Sequence, residues 1–247
     1  MRFVSRAAVV CAVIVCAFPA AAQNWTGPYI GASIGAQWIR DTVTTTGLGT
    51  PPVAPNPALL DASLNQTRAR FGGYAGYNWQ VNPVWVAGIE GGLGVATGGT
   101  SSRAGIPGVG DAAAQAASPD STSAELGLNG NLRARLGYLI TPTTLVYGTG
   151  GVAFQQAKYS LNCTGAGASW CLAGAKSETQ SAVLAGWTLG GGVEMAIAPK
   201  WLLRVDYGYS NYGSRDRTFF TGSPGDAVSA TTKLHTHDVT LGLAYKF

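Results

Sequence analysis

Apolar and polar residues alternate with a period of two along several segments of the chain. In residues 186–197, for example, Trp187 and Leu189 share one face while Thr188 and Glu194 share the other. Such alternation predicts β-strands, because successive side chains of a strand point to opposite faces. The pattern predicts eight strands, over residues 29–39, 67–80, 84–95, 125–140, 144–158, 186–197, 201–210 and 238–247. Only in the segment 144–158 is it ambiguous which residues share a face.

The connections between these strands alternate between short and long. The three short ones are proline-containing turns at residues 81–83, 141–143 and 199–200. Rich in Gly, Pro, Ser, Thr and Ala, the four long ones are expected to be mobile loops over residues 40–66, 98–122, 160–178 and 214–230. An even strand number with short turns at one end and long loops at the other is typical of outer-membrane barrels. The sequence therefore predicts an all-β fold, an eight-stranded antiparallel transmembrane up-and-down β-barrel with four long extracellular loops.

Composition narrows the class of protein. Charged residues make up 11% of the chain, against roughly 25% in ordinary soluble proteins. Hydrophobic residues make up 46%, which excludes a disordered chain. The formal net charge of +4 is small and its Lys and Arg residues are scattered, so no nucleic-acid partner is expected. Outside the N-terminus no run of eighteen apolar residues exists, which argues against membrane-spanning helices.

The N-terminus has the three parts of a secretory signal peptide. Arg2 and Arg6 precede an apolar stretch over residues 7–18, and Ala20-Ala21-Ala22 supplies a small-residue cleavage site. We therefore expect a signal peptide over residues 1–22 and an outer-membrane β-barrel domain over residues 23–247, located in the outer membrane of a Gram-negative bacterium.

The polar faces of the predicted strands carry charges of both signs among many glycines. A soluble β-sandwich, the alternative fold, would instead carry a solvent-facing surface rich in Lys, Glu and Thr. Balanced charge among small residues suits a narrow barrel interior, where unpaired charges would be costly. Glu194 and Arg204 flank the turn at 199–200 and are the first pair expected. The predicted interior ion-pairing residues are Arg68, Arg70, Glu90, Glu125, Arg133, Arg135, Glu194, Arg204, Asp206 and Asp238.

Aromatic residues lie beside the three short turns and at the C-terminus. Barrels in membranes carry aromatic girdles at both interfaces. We interpret the following residues as the periplasmic girdle: Trp79, Trp85, Tyr138, Trp201 and Phe247.

Two cysteines, Cys163 and Cys171, remain after the predicted cleavage. They lie close together in a glycine-rich segment, and the predicted compartment is oxidising, so we expect a local disulfide. A metal site is the weaker alternative because no histidine lies nearby in the sequence.

A hydrolytic or metal site would have to use residues near the start of the last strand. Ser229, His235, His237 and Asp238 are the candidates. His235 and His237 have the same parity and Asp238 the opposite one, so these residues do not assemble a nucleophile with an oriented base. Two imidazoles at that spacing are about 7 Å apart, too far to hold one ion without other ligands. We therefore expect neither an enzyme nor a metal or other cofactor.

Several segments resemble a known family. The opening Trp25-Thr26-Gly27-Pro28-Tyr29-Ile30-Gly31 is similar to the first strand of small OmpA-like, opacity-type "porin family" outer-membrane proteins, which include alphaproteobacterial surface antigens. Residues 145–154, 187–194 and 203–207 resemble the family's fifth, sixth and seventh strands. The chain end is similar to the family's C-terminal insertion signal, formed here by Val239, Leu241, Leu243, Tyr245 and Phe247. The resemblance implies assembly by the outer-membrane insertion machinery through that last strand.

These observations favour a structural outer-membrane protein that anchors surface loops and supports envelope integrity. The predicted location implies outer-membrane lipids and lipopolysaccharide as partners. Two alternatives stay open. One is a narrow porin-like channel for small solutes, although an eight-stranded barrel is just wide enough for its own side chains. The other is adhesion, or haem or metal binding, through the loops, whose composition identifies no ligand.

Overall fold

The computed structural model describes residues 24–49, 54–98, 100–165, 169–171 and 174–247. The predicted signal peptide at 1–22 lies outside these residues. The elements, in chain order, are β1 (Gly27–Leu48), β2 (Asp61–Ser63), β3 (Gln66–Gln80), β4 (Trp85–Ala96), β5 (Ser101–Ala104), α1 (Ala112–Ala117), β6 (Ser121–Thr141), β7 (Thr144–Cys163), β8 (Lys176–Ala198), β9 (Trp201–Phe219), a 3₁₀ turn (Pro224–Asp226) and β10 (Val228–Lys246). No helix among the described residues has the length and apolar character that a bilayer crossing requires.

Eight long strands of the described chain pair antiparallel in the order β1-β3-β4-β6-β7-β8-β9-β10. The sheet closes on itself because β10 also pairs with β1, from Tyr29 opposite Lys246 to Leu48 opposite Val228. Closure leaves none of these strands as an open edge, which distinguishes the fold from a two-layered sandwich. The short strands β2 and β5 are additions that pair with β1 and β6. The predicted all-β antiparallel barrel is confirmed.

Apolar side chains on the strands face outward. Leu189 and Leu241 are 56% and 50% exposed, whereas Glu90 and Arg133 on the inner face are 2% and 7% exposed. A soluble sandwich would bury these apolar side chains and expose the charged ones. The outer surface of the barrel is therefore of the kind that faces the hydrocarbon of a membrane. On β1 the outward apolar residues run from Ile30 to Trp38, which for a strand tilted by about 40° corresponds to a height of about 20 Å between these two positions, close to the ~25 Å apolar band of such barrels.

Outward aromatic residues mark both borders of this apolar band. At the turn end they include Trp85 in contact with Tyr138, with ring centroids 5.3 Å apart, and Trp201 in contact with Tyr245 at 5.4 Å. At the opposite end they include Trp38, Trp187 and Tyr207. These are the positions expected of interfacial aromatic girdles.

The strands are longer than the sequence pattern predicts, and they extend at the loop end. They measure 12 to 23 residues, so parts of the four predicted loops are strand, including residues 40–48, 160–163 and 214–219. The reason is that inward positions beyond the band are again apolar. Ile39, Val43, Tyr159, Leu161 and Leu234 pack into one buried cluster that holds these extensions together.

The strand with ambiguous parity, β7, keeps one parity throughout. Its odd-numbered residues, from Leu145 and Tyr147 to Leu161, face inward. Glycines at residues 148, 150 and 151 hide this alternation in the sequence.

Candidate functional site in the barrel lumen and its outer cap

Charged residues meet in the middle of the lumen, at the level of the apolar band. Three arginines and three carboxylates project inward from four strands, so their formal charges cancel: Glu90 on β4, Arg133 and Arg135 on β6, Glu194 on β8, and Arg204 and Asp206 on β9. We call these six residues the central network. Each is buried, as inward positions in a narrow barrel must be.

Glu90 is the hub of the central network. Its Oε1 lies 2.7 Å from Nη2 of Arg133, and its Oε2 lies 2.5 Å from Nη1 of Arg204. The Tyr29 hydroxyl donates to Oε2 at 2.9 Å. Arg135 lies farther away, with Nη1 4.0 Å from Oε2. One carboxylate thus binds donors from three other strands and joins facing walls of the barrel.

The other two carboxylates complete the network. Asp206 accepts from Nη1 of Arg133 at 3.1 Å and from the Tyr147 hydroxyl at 2.8 Å. Glu194 lies 3.4 Å from Nη2 of Arg135. Since every guanidinium has a carboxylate partner, the desolvation cost of each buried charge is offset.

Tyrosines and glycines fit around the arginines. The Arg204 guanidinium lies 3.4 Å from the centroid of the Tyr74 ring, and Arg135 lies 4.1 Å from that of Tyr147, both in cation–π range. A Cβ atom at Gly31 would lie 2.4 Å from the Tyr74 ring. Glycine is required there because the backbone and the ring approach so closely.

The remaining predicted interior residues occupy different levels. Arg70 lies 3.8 Å from Asp238 and donates to Asn129 at 2.7 Å, on the loop side of the central network. Arg68 is buried farther toward the loops and donates to Gln66.

Two details of the predicted interior are wrong. Glu194 and Arg204 are directly opposite on β8 and β9, yet no ion pair in the described chain joins them. Arg204 instead reaches across the lumen to Glu90, because the barrel is narrow enough for an arginine to span it.

Glu125 is exposed on the outer surface, not in the lumen. Between Leu126 and Asn129, two residues of β6 oppose one residue of β7. This β-bulge reverses the parity. Leu126 therefore faces inward and is 7% exposed, whereas Leu128 faces outward and is 48% exposed.

Both ends of the lumen are filled. At the turn end, Trp25 is fully buried, donates from Nε1 to the Pro142 carbonyl at 3.3 Å, and packs with Leu139, Leu145 and Leu202. At the loop end, the apolar cluster around Tyr159 and Leu234 occupies the interior. Between them lies a cavity of about 40 Å³ that is lined by central-network residues, room for a few water molecules at most.

The described loop residues at the outer end form a cap on the barrel. Cys163 and Cys171 are joined by a disulfide with Cα atoms 5.8 Å apart. The buried carboxylate of Asp120 accepts from the Trp170 amide at 2.8 Å, the Ser169 hydroxyl at 2.8 Å and the Thr164 amide at 3.0 Å. Asp120 therefore fixes both ends of the disulfide-closed segment.

A buried acid lies in this outer region, beyond the apolar band. Asp41 is three residues past Trp38 on β1 and is 1% exposed. Burial raises the pKa of Asp41 to about 7, and nearby Tyr159 and Arg217 offset this only in part. The pKa of the Tyr159 hydroxyl is raised in turn, first by burial and then by the Asp41 charge.

The candidate catalytic and metal-binding residues do not converge. Ser229 Oγ lies 3.2 Å from Thr218 Oγ1, and Asp238 faces the lumen beside Arg70. His235 and His237 face outward, and their Nδ1 atoms lie 3.0 and 2.8 Å from the hydroxyls of Tyr209 and Tyr207. The described residues contain no group of three His, Cys, Asp or Glu side chains placed to hold a metal ion.

The C-terminal residues that resemble an insertion signal form an outward stripe on β10. Val239, Leu241 and Leu243 are exposed to the membrane side, and the rings of Tyr245 and Phe247 are in edge contact with centroids 5.3 Å apart. Lys246, of opposite parity, donates into the lumen mouth to the Asn24 carbonyl.

Several residues that shape the site were given no role in it by the sequence pattern. Tyr29 could have been, because it has inward parity on β1 opposite to Ile30. Trp25 precedes the first strand and Asp120 precedes β6, so neither lies within an alternating pattern.

Comparison with known proteins identifies similar sequences. The family model "Outer membrane protein beta-barrel domain" matches residues 7–247. The 31 kDa outer-membrane immunogenic protein of Brucella melitensis is 31% identical over 233 residues, 94% of this chain and 87% of that protein. The 25 kDa outer-membrane immunogenic protein of Brucella abortus is 27% identical over 91% of this chain and 80% of its own length. A 22 kDa outer membrane protein of Rhizobium leguminosarum bv. viciae is 29% identical over 72% of this chain and 66% of its own length.

Solved structures with similar folds have low sequence identity. The outer membrane protein OprG from Pseudomonas aeruginosa has 11% identity and a TM-score of 0.49, with 91% of this chain and 98% of that one covered. Ail, the attachment invasion locus protein of Yersinia pestis, has 15% identity and a TM-score of 0.39, with 89% and 99% covered.

Proposed function

The chain belongs to the outer membrane protein beta-barrel domain family, and we propose that it is a closed, non-catalytic barrel that anchors an ordered extracellular cap and supports the integrity of the outer membrane. The observation that carries this proposal is the filled lumen. Apolar clusters occupy both ends, and the central network bridges the walls between them.

A filled lumen argues against a solute channel. Trp25 plugs the turn end, and the cavity near Glu90 holds only about 40 Å³. Opening a path would require separating buried ion pairs whose partners lie on different strands, and an unpaired buried charge is costly. An eight-stranded barrel has no spare width to compensate.

The same geometry argues against catalysis. A nucleophile needs a base within hydrogen-bond reach and a third group that orients the base. Ser229 contacts Thr218, both histidines contact outward tyrosines, and Asp238 lies on the other side of the wall. These groups therefore cannot act together on one substrate.

Instead, the barrel provides a rigid support for the cap. The strands continue past the apolar band, and their inward apolar residues join the cap to the barrel. The Asp120 contacts and the Cys163–Cys171 bond hold the described residues of the connection between β7 and β8. Such an arrangement suits a protein that presents a defined surface outside the cell.

Planar-bilayer recording tests the closed lumen. The purified full chain should give no stable conductance steps under conditions where a sixteen-stranded porin conducts. Stable steps from the wild-type chain would contradict the proposal.

Dye uptake tests the role in envelope integrity. A deletion strain should take up more of a hydrophobic dye than its parent, and expression of the full chain should restore the barrier. Unchanged uptake after deletion would contradict this part of the proposal.

A further inference from the structure

A cleft of about 530 Å³ opens on the outside of the barrel, on the wall formed by β3, β1, β10 and β9. Side chains that line it include Trp38, Arg40, Asn65, Thr67, Tyr207 and His237. Unlike the lumen, this cleft faces the surroundings of the barrel, so a molecule could enter it without opening the strands.

Strand register fixes the height of the cleft relative to the membrane. Thr67, Trp38, His237 and Tyr209 are successive partners across the four strands and lie within the outer aromatic girdle. We call such a set of paired outward residues a row. The next row, two residues farther from the membrane centre, contains Arg40 opposite His235. The row after it contains Lys233 opposite Thr42. These groups thus lie within about 13 Å along the strand from the girdle, at headgroup level.

The charge of this wall is positive around Arg40 and Lys233. Arg40 and Lys233 are exposed, and within the described ranges neither forms a salt bridge. The nearest outward acids on these strands are Asp61 and Asp216, in the row of Thr44. That row is four residues farther along β1 than Arg40, about 13 Å along the strand, and two residues beyond the row of Lys233, about 7 Å.

The histidines add hydrogen-bonding nitrogen atoms to the same wall. Tyr209 and Tyr207 hold the Nδ1 atoms of His235 and His237 by hydrogen bonds, which leaves each Nε2 atom for another partner. Below these groups, toward the membrane centre, the wall is apolar, with Ile34 and Val239 exposed. A ligand that fits both levels has an anionic head and apolar chains.

The opposite wall of the barrel has a cleft of about 450 Å³, but its charged lining residues are of both signs. There, Glu125 on β6 is directly opposite Lys158 on β7, and both are exposed. One cation next to one carboxylate leaves little net attraction for an anion.

We infer that the wall formed by Arg40, Lys233, His235 and His237 above Trp38 binds the phosphorylated headgroup of an outer-leaflet glycolipid of the lipid A type. The guanidinium and ammonium groups pair with phosphate oxygens, as charge-assisted hydrogen bonds favour. The apolar surface below them contacts the acyl chains. The site goes beyond the proposed anchoring function, because it gives the barrel a specific lipid partner on one wall.

Native mass spectrometry of the full chain in detergent, titrated with purified bisphosphorylated lipid A, tests this inference. The double variant Arg40→Gln with Lys233→Gln should bind about 25-fold more weakly, since each cation near an anionic lipid surface contributes roughly fivefold in affinity. Lys158→Gln, which removes a cation from the opposite wall, should change binding less than about twofold, consistent with a cation beside a carboxylate. Heat-modifiable migration on a gel verifies that all three proteins are folded.

Four results would overturn the inference. The first is an equal affinity of the double variant and the wild type, and the second is an equal weakening by Lys158→Gln. The third is equally tight binding of dephosphorylated lipid A, which would show that acyl contacts suffice. The fourth is full displacement of lipid A by inorganic phosphate, which would identify a site for free anions.

Discussion

Substitution of Glu90 by glutamine tests whether the central network holds the barrel together. The change keeps the size of the side chain and removes its charge. Two arginines lie within 2.7 Å of the carboxylate, and the Tyr29 hydroxyl lies at 2.9 Å. Glutamine has an NH2 group in place of one carboxylate oxygen, so one of these three donor groups would lose its acceptor. The network would also carry one unbalanced positive charge.

The expected loss is large because Glu90 is 2% exposed. Removal of one partner from a buried ion pair typically destabilises a protein by about 3–5 kcal/mol. The exposed Glu125 provides a matched control, since Glu125→Gln alters the same chemical group on the outer surface. An exposed ion pair contributes about 0–1 kcal/mol, so the control should unfold almost as the wild type does.

Equilibrium unfolding by urea in phosphatidylcholine vesicles, followed on unboiled gels, would measure both variants. Glu90→Gln combined with Arg133→Gln restores charge balance, and its destabilisation should fall short of the sum of the single changes by about 0.5–3 kcal/mol. The reasoning would be refuted if Glu90→Gln and Glu125→Gln lowered the free energy of unfolding equally, or if the two interior substitutions were simply additive.

Three further predictions concern the outer region and the chain end. Burial raises the pKa of Asp41 to about 7, so the folded chain holds a proton that the unfolded chain releases near pH 4. Stability should therefore fall by up to about 4 kcal/mol as pH rises from 4 to 7, and a urea titration series should show no such slope for Asp41→Asn. Replacement of both Cys163 and Cys171 by serine should lower local stability by about 2–3 kcal/mol, as expected for so short a loop. Proteolysis between β7 and β8 should become faster, while heat-modifiable migration of the barrel persists. An unchanged rate of cleavage would argue against a structural role of the disulfide. Phe247→Ala should lower the heat-modifiable fraction in cells but not after refolding in vitro, and equal loss in both assays would contradict a role in assembly.

The sequence predicts the barrel well because its strands satisfy one simple physical constraint. Each side chain must face either hydrocarbon or the lumen, so Trp187 and Leu189 alternate with Thr188. The constraint fails at Glu125 because a bulge adds a residue without a composition signal other than Gly127. The predicted pair Glu194 and Arg204 is wrong for another reason. The lumen is so narrow that a long side chain can reach the facing wall, so neighbouring positions on two paired strands do not determine which side chains meet.

Loop-end structure was harder to predict for a related reason. Beyond the membrane, outward residues such as Thr42 and Thr44 face water, so the strand no longer alternates between apolar and polar in the same sense. Inward residues there become apolar, as Ile39 and Val43 show. Near Trp38 the inward residues change from polar to apolar. A prediction that assumes apolar residues always face outward therefore ends the strand too early.

That change also explains how one barrel combines two kinds of interior. Within the bilayer the outer surface must be apolar, so the polar residues collect inside, where ion pairs such as Glu90–Arg133 satisfy them. Outside the bilayer the outer surface is hydrated, so apolar residues such as Leu161 and Leu234 can collect inside and form an ordinary hydrophobic core. The central network specifies which strands meet, and the outer core makes the cap continuous with them. A change confined to the outer core should therefore loosen the cap and leave the membrane-spanning barrel intact.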